Sequence, residues 1–381
     1  MRTMRFMRPR ALNMALRLLA IAVALSAGLL FAQQTASADG RNGNGFYQQT
    51  NLVSDLPGVA RVTDPNLVNS WGIVHGPTTP FWIADNGTGV STLYTGAGDP
   101  FPIGSPLVVT IPPPKGSPAG TTAAPTGIVF NPTSGFVVSE GNASGAALFL
   151  FATEDGTISG WNRNVNPTHA ILEVDKSPSA VYKGLALASN STGTFLYATN
   201  FRAGAIDVFN DHFGQTHLSG SFTDSKIPRG YAPFGIAAIN GNLIVTYAKQ
   251  DAAKHDDVAG QGHGFVDVYD TSGHLLRRLV TRGQLNSPWG LALAPESFGR
   301  FGGDLLVGNF GNGRINAYDP QTGGFRGQLR DAKNKPISID GLWGLDFGND
   351  ANAGPSTTLF FTAGLNHEAD GLFGSLVSVA R

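Results

Sequence analysis

The chain has 381 residues, among them 50 Gly, 23 Pro and no Cys, and only 14% of it is charged. The lack of Cys excludes disulfides, thiolate metal sites, a Cys nucleophile and a lipidated cysteine, and a formal net charge of −1 carries no basic excess of the kind nucleic acid favours. Turn residues at this density, in a chain of this length, fit a single large strand array better than two or three separate domains.

Residues 1–38 read as a leader. Arg2, Arg5, Arg8, Arg10 and Arg17 precede an apolar run at 18–32, and Ala36-Ser37-Ala38 supplies the small residues of a cleavage site before Asp39. The run is shorter than the roughly 20 residues of a membrane span, so the expectation is a Sec-type signal peptide. The product would be secreted or periplasmic, with no membrane span in the mature chain. Its removal leaves 21 basic against 27 acidic residues, a net charge of −6. A polar Gly/Asn linker follows at 39–45, and one domain is expected over 46–381.

Residues 47–54 (YQQTNLVS) read as a lone strand ahead of a repeat. That repeat is counted on a glycine followed by Ile or Leu: Trp71-Gly72-Ile73, Thr126-Gly127-Ile128, Lys183-Gly184-Leu185, Phe234-Gly235-Ile236, Trp289-Gly290-Leu291 and Trp343-Gly344-Leu345. The glycines are spaced by 55, 57, 51, 55 and 54 residues. A second strand keeps step in each repeat, ending at Asp85, Glu154, Asn200, Tyr247, Asn309 and Ala363. Six near-equal units made only of strands and turns predict an all-β, six-bladed β-propeller with four antiparallel strands per blade. The last unit offers only three strands, at 343–347, 358–363 and 374–379. The N-terminal strand is therefore expected to complete it and close the ring, which removes two exposed sheet edges.

In the second unit FLFATEDGTISGWN aligns with FLYATNFRAGAIDVFN of the third, making residues 132–146 an insertion. An alternative alignment of FVVSE puts Glu140 in the place of Glu154. Glu154 is preferred because it leaves residues 170–175 as a fourth strand.

The Pro-x-Gly-aliphatic start, LLVGNF and GRINAYD resemble the NHL repeat and, more broadly, TolB-like and gluconolactonase-like six-bladed propellers. Segments such as YAKQDAAKHDDVAGQGHGFVDVYD and LFFTAGLNHEADGLFG resemble an uncharacterised family of secreted bacterial propellers, over nearly the whole chain. The gluconolactonase likeness implies a divalent-cation-dependent hydrolase or lyase acting at the channel mouth. This chain departs from it: the inner-strand positions that include Asn and Asp metal ligands in those proteins hold four aromatics and no carboxylate here.

In a propeller the starts of the inner strands and the ends of the second strands reach one face. That places Asp85, Glu154, Asn200 and Asn309 in an oxygen-rich ring suited to a hard cation such as Ca²⁺ or Mg²⁺, unless these residues only shape turns. Trp71, Phe234, Trp289 and Trp343 offer faces that stack on a sugar or other flat ligand, or else serve as core. Two loops on the same face, 249–264 and 366–370, bring Lys249 as a further ligand contact, and His255, His367 and Glu368 as acid/base candidates near neutral pH. The composite expectation is a binding platform for a small molecule, carbohydrate or protein, with the cation-dependent enzyme as the alternative. N-terminal sequencing of exported protein is expected to begin at Asp39; retention of the apolar run would show an anchor instead.

Overall fold

The computed structural model describes residues 45–379; the leader expected at 1–38 and the linker through residue 44 lie outside the described residues. Six small antiparallel sheets form a β-propeller, their inner strands being Ser70–Val74, Pro125–Phe130, Tyr182–Asn190, Tyr231–Ile239, Pro288–Leu293 and Leu342–Phe347 in blades 1 to 6. Each inner strand packs on the next, and that of blade 6 packs on that of blade 1. Second strands such as Phe81–Asp85, Phe149–Thr153 and Leu305–Asn309 are buried at every residue. Both faces of a blade are covered, so these strands read as apolar runs rather than as alternation.

The repeat glycine owes its place to the axis. A Cβ on Gly72, Gly127, Gly184, Gly235, Gly290 or Gly344 would lie 2.9 Å or less from a backbone atom of the following blade. Threonines on second strands staple the same approach: Thr199 Oγ1 accepts the Gly184 N–H at 2.7 Å and donates to the Phe234 carbonyl of the next blade at 2.7 Å. Thr362 does the same between Gly344 and the Trp71 carbonyl, across the closure of the ring. Behind this collar the apolar side chains fall into one cluster between each pair of neighbouring blades and a seventh on the axis.

Phe46–Ser54 completes blade 6, running antiparallel to Asp370–Val379 from the Phe46/Val379 pair to the Ser54/Leu372 pair. Tyr47 ties this strand to blade 5: its ring packs 4.8 Å from Phe298, its hydroxyl donates to the Phe298 carbonyl at 3.0 Å, and its N–H donates to the Arg330 carbonyl at 2.8 Å. Two features exceed the simple template. Val62–Thr63 adds a short parallel strand outside Phe46–Ser54, and the blade 2 insertion folds as its own hairpin, Val137–Glu140 with Ala143–Ala146. Phe136, fully buried at the root of that hairpin, meets Phe213 of blade 3 edge-on at 5.3 Å. The insertion therefore braces two blades.

Deleting residues 46–54 is expected to lower the melting temperature sharply and promote association, because it unpairs a ten-residue strand and exposes its edge. A truncated protein that stays monomeric and melts as before would refute this account of closure.

Candidate functional site at the channel mouth

The ring positions are decided by register. Ser70 pairs with Asp85, Pro288 with Asn309 and Leu342 with Ala363, whereas the blade 2 counterpart, opposite Pro125, is Thr153. Glu154 therefore lies one residue further on, in step with Asn86, Phe201, Ala248, Phe310 and Gly364. A shift of one residue turns a strand side chain to the opposite face. Asp85, Asn200 and Asn309 accordingly turn into their own blades, and the expected four-residue ring does not assemble. Asp85 accepts from Ser70 at 2.8 Å and Thr92 at 2.7 Å; Asn200 donates to Asp207 at 3.0 Å; Asn309 donates to the Gln284 carbonyl at 2.8 Å. Asp85 is fully buried, and burial pushes its carboxyl well above the usual carboxylate range. Glu140 is exposed on the hairpin and accepts from Asn166, so Glu154 is the residue at the mouth.

The inner-strand aromatics fill the axis. Trp71 and Trp343 stack with centroids 3.4 Å apart, Trp289 meets them edge-on at 5.9 and 5.7 Å, and Phe310 stacks on Trp343 at 4.0 Å. Phe234 lies 5.9 Å from Trp343 and 5.2 Å from Phe201. Trp71, Phe234, Trp289 and Trp343 are all buried. They are a plug across the channel, where the sequence had also offered them as open stacking faces.

Lys183 is the one charged residue among the six positions preceding the repeat glycines, and sequence reasoning did not select it. It is only 1% exposed, with Nζ 5.1 Å from the Trp71 ring centroid and 5.9 Å from that of Phe201. Nζ donates to Glu154 Oε1, and Asp256 Oδ1 lies 3.4 Å away. Burial pulls the lysine pKa down, but the two carboxylates outweigh it and the net shift is upward, so the ammonium is charged. The other Glu154 oxygen accepts from Asn86 Nδ2 at 2.9 Å; Asn69 donates to Asn86 at 3.2 Å, and Trp343 Nε1 donates to Asn69 at 3.2 Å. A polar belt thus runs over the plug from blade 6 to blade 4. Its lone ammonium was the available signal, a Lys standing where four repeats hold aromatics.

The loop at 249–264 supplies the far end of the belt. Asp251 accepts the His255 N–H at 2.9 Å, and His263 Nδ1 meets the Val258 carbonyl at 2.7 Å, folding the loop back over Lys183. His255 Nδ1 contacts Asp256 at 2.9 Å. Glu154, His255 and Asp256 are the one group of three such side chains, among the described residues, with ligand atoms all within 4.8 Å of one another. Lys249 is half-buried at the end of Asn242–Lys249, and Lys183 rather than Lys249 is the ammonium of the belt. Beside the group opens a cavity of about 280 Å³ lined by Glu154, Asp155, Arg202 and His255.

Asn366, His367 and Glu368 all take left-handed backbone, with φ of 53°, 58° and 68°. Each such residue costs about 1–2 kcal/mol. The Asn366 N–H donates to Asp340 at 2.9 Å and its side chain to Asp370 at 2.7 Å, holding the turn. His367 is exposed while Glu368 is half-buried. Burial, then Glu154, pushes the Glu368 carboxyl up to about 7 against the opposing pull of Lys183. Burial also raises Asp155 and Asp257. Asp256 moves the other way: burial raises it, but Lys183 and His255 bring it below the usual value.

No family model matches the sequence. Two uncharacterized proteins of Acanthamoeba polyphaga mimivirus are similar to it: one is 35% identical over 339 residues, spanning 85% of this chain and 78% of the viral protein, the other 34% identical, spanning 86% and 84%. The chain belongs to the same family as these viral proteins. Among solved structures, a glucose dehydrogenase aligns over 87% of this chain and all of its own at a TM-score of 0.51 and 12% identity. The soluble aldose sugar dehydrogenase of Escherichia coli, in its apo-form, aligns over the same shares at 0.50 and 10%. At such identities the likeness is one of fold.

Because the folded state holds the Glu368 proton up to about pH 7, ionising it costs stability as pH rises from the ordinary glutamate range toward neutrality. Glu368→Gln is expected to raise the melting temperature at pH 8 and leave it unchanged at pH 4. Equal effects at both would show that Glu368 is solvated like any surface carboxylate.

Proposed function

We propose that the chain is an exported propeller that binds a small hydroxyl-rich ligand, held directly or through Ca²⁺ or Mg²⁺, at the mouth over the aromatic plug. The observation that carries this reading is the charge balance around Lys183. Glu154, Asp256, Asp257 and Glu368 gather near one buried ammonium, with Asp155 beside Glu154 and His255, and three of the five carboxylates have raised pKa values. Such a cluster favours a cation or a set of hydroxyl donors, because either compensates carboxylates that burial disfavours. The plug supports binding at the mouth over passage through the channel. His255 and Asp256 are the accessible ligands; Lys183 is already Glu154's partner and yields Asp256 the more readily, at 3.4 Å.

A second reading follows from Glu368. A carboxyl titrating at about 7 beside a charged lysine is suited to general acid/base work at neutral pH. It supports the hydrolase or lyase alternative, with Glu368 exchanging the proton and Lys183 stabilising developing negative charge.

Melting curves with Ca²⁺ or Mg²⁺ test the first reading. A cation that binds only the folded state adds about 2.7 kcal/mol at a hundredfold excess over its dissociation constant, and Glu154→Gln is expected to shrink the gain. Flat curves for cations and for a panel of monosaccharides would overturn it. Turnover of a lactone or uronate panel that disappears in Glu368→Gln would establish the second.

A further inference from the structure

Below the plug the same axis has a different character. A cavity of about 500 Å³ runs between the six inner strands from Trp289 toward the face opposite the mouth. Its wall repeats around the ring. Ile73, Ile128, Leu185, Ile236, Leu291 and Leu345, the residues after the repeat glycines, form one tier. The next tier is Val74, Val129, Ala186, Ala237 and Ala292, with Asp346 as its sixth member. One carboxylate thus stands in an otherwise aliphatic ring.

Asp346 is incompletely satisfied. Its Oδ1 accepts the Phe347 N–H at 2.9 Å. Its Oδ2 has His75 Nε2 at 3.8 Å, too far for a hydrogen bond. The histidine is engaged elsewhere: Nδ1 meets the Gly76 carbonyl at 2.9 Å and Nε2 the Phe347 carbonyl at 2.8 Å. With both ring nitrogens turned to carbonyls, the imidazole gives Asp346 no proton to share. Burial raises the Asp346 carboxyl, and His75, when protonated, opposes that rise. The Asp346 side chain keeps 32% of its exposure, so Oδ2 can be reached from the channel.

We propose that this channel is a second binding site, for a small apolar molecule bearing a primary ammonium that bonds to Asp346 Oδ2. The volume lies in the range of small-molecule pockets, which are mostly apolar with a few convergent polar groups. An alkyl or aryl body packed on the Ile, Leu, Val and Ala side chains of the two tiers gains the transfer free energy of its buried surface. The plug closes the inner end, so the ligand enters and leaves by the face opposite the mouth. An ammonium is favoured over a hydroxyl because a charge-assisted hydrogen bond to a carboxylate is roughly twice as strong as a neutral one. The site is independent of the mouth, and each can fail without the other.

Titration calorimetry of the whole mature protein with n-octylamine, n-octanol and octanoate tests it. Octylamine is expected to bind one to one, about tenfold more tightly than octanol, and octanoate more weakly than both. Asp346→Asn should bring octylamine to the octanol level, and Ala237→Phe, which fills the second tier, should abolish both. No saturable binding of amine or alcohol would overturn the site. Equal affinity for amine and octanoate, or an Asp346→Asn variant that binds octylamine as before, would overturn the ammonium class. Should Ala237→Phe fail to fold, judged by circular dichroism, the amine-to-alcohol ratio and Asp346→Asn decide alone.

Discussion

Everything in this molecule depends on how closely six strands approach one axis. The approach leaves no room for a Cβ at the repeat glycine, and at five of the six positions the atom nearest to it is a backbone carbonyl of the next blade. An alanine there would force two blades apart, and overpacking of a fitted core typically costs about 1–3 kcal/mol. Because the last blade abuts the first through Gly344 and Trp71, a local error would be passed around a closed ring. The threonine staples turn the same proximity into hydrogen bonding, satisfying carbonyls that the crowded axis would otherwise leave buried and unpaired.

The collar also explains why the two ends of the axis differ. The residue before each glycine turns to the axis at the mouth end, where Trp71, Trp289, Trp343 and Phe234 close the bore. The residue after it is always Ile or Leu, and the following tier is mainly Val and Ala, so the side chains lining the bore below the plug are mainly aliphatic. A buried ammonium is tolerable at the mouth because it lies over the Trp71 face and against Glu154. Cation–π contact contributes about 0.5–2 kcal/mol, and the ion pair offsets the desolvation of each partner. Remove either charge and the other is left buried without compensation, which is the costly case.

How much of this could be read from the sequence follows from where the signal lay. The glycine period is a backbone requirement repeated six times, and it disclosed the blades. The missing fourth strand at the C-terminus disclosed the pairing with residues 46–54. The site was less legible. Counting strand ends to Asp85, Asn200 and Asn309 and then to Glu154 mixed two registers, since blade 2 has Thr153 at the equivalent place. The likeness of FLFATE to FLYATN had hidden that offset, because Phe151 stands opposite the residue after the repeat glycine where Ala198 stands in blade 3. A period-2 pattern tolerates no such slip, so three polar residues that serve their own blades were grouped with one that faces the axis. Turn-formers at strand ends carry no mark of which way they face.

Lys183 was visible as a type but not as an environment. Its neighbours come from five separate stretches of chain, at Trp71, Glu154, Phe201, Asp256 and Glu368, and only the closed ring brings them together. Read alone, a lysine before a glycine in a strand is a surface residue with its ammonium in water. Inserted into a ring of indoles, it becomes the organising charge of the mouth: it lowers Asp256, opposes the rise of Glu368 and fixes Glu154, whose second oxygen then orders Asn86 and Asn69. The strained turn at Asn366–Glu368 makes sense in that setting, because three left-handed residues are an expensive way to reverse a chain unless the turn must deliver one carboxyl to this charge. The chemistry of the mouth is therefore a property of ring closure, in the same sense as the glycine collar that permits it.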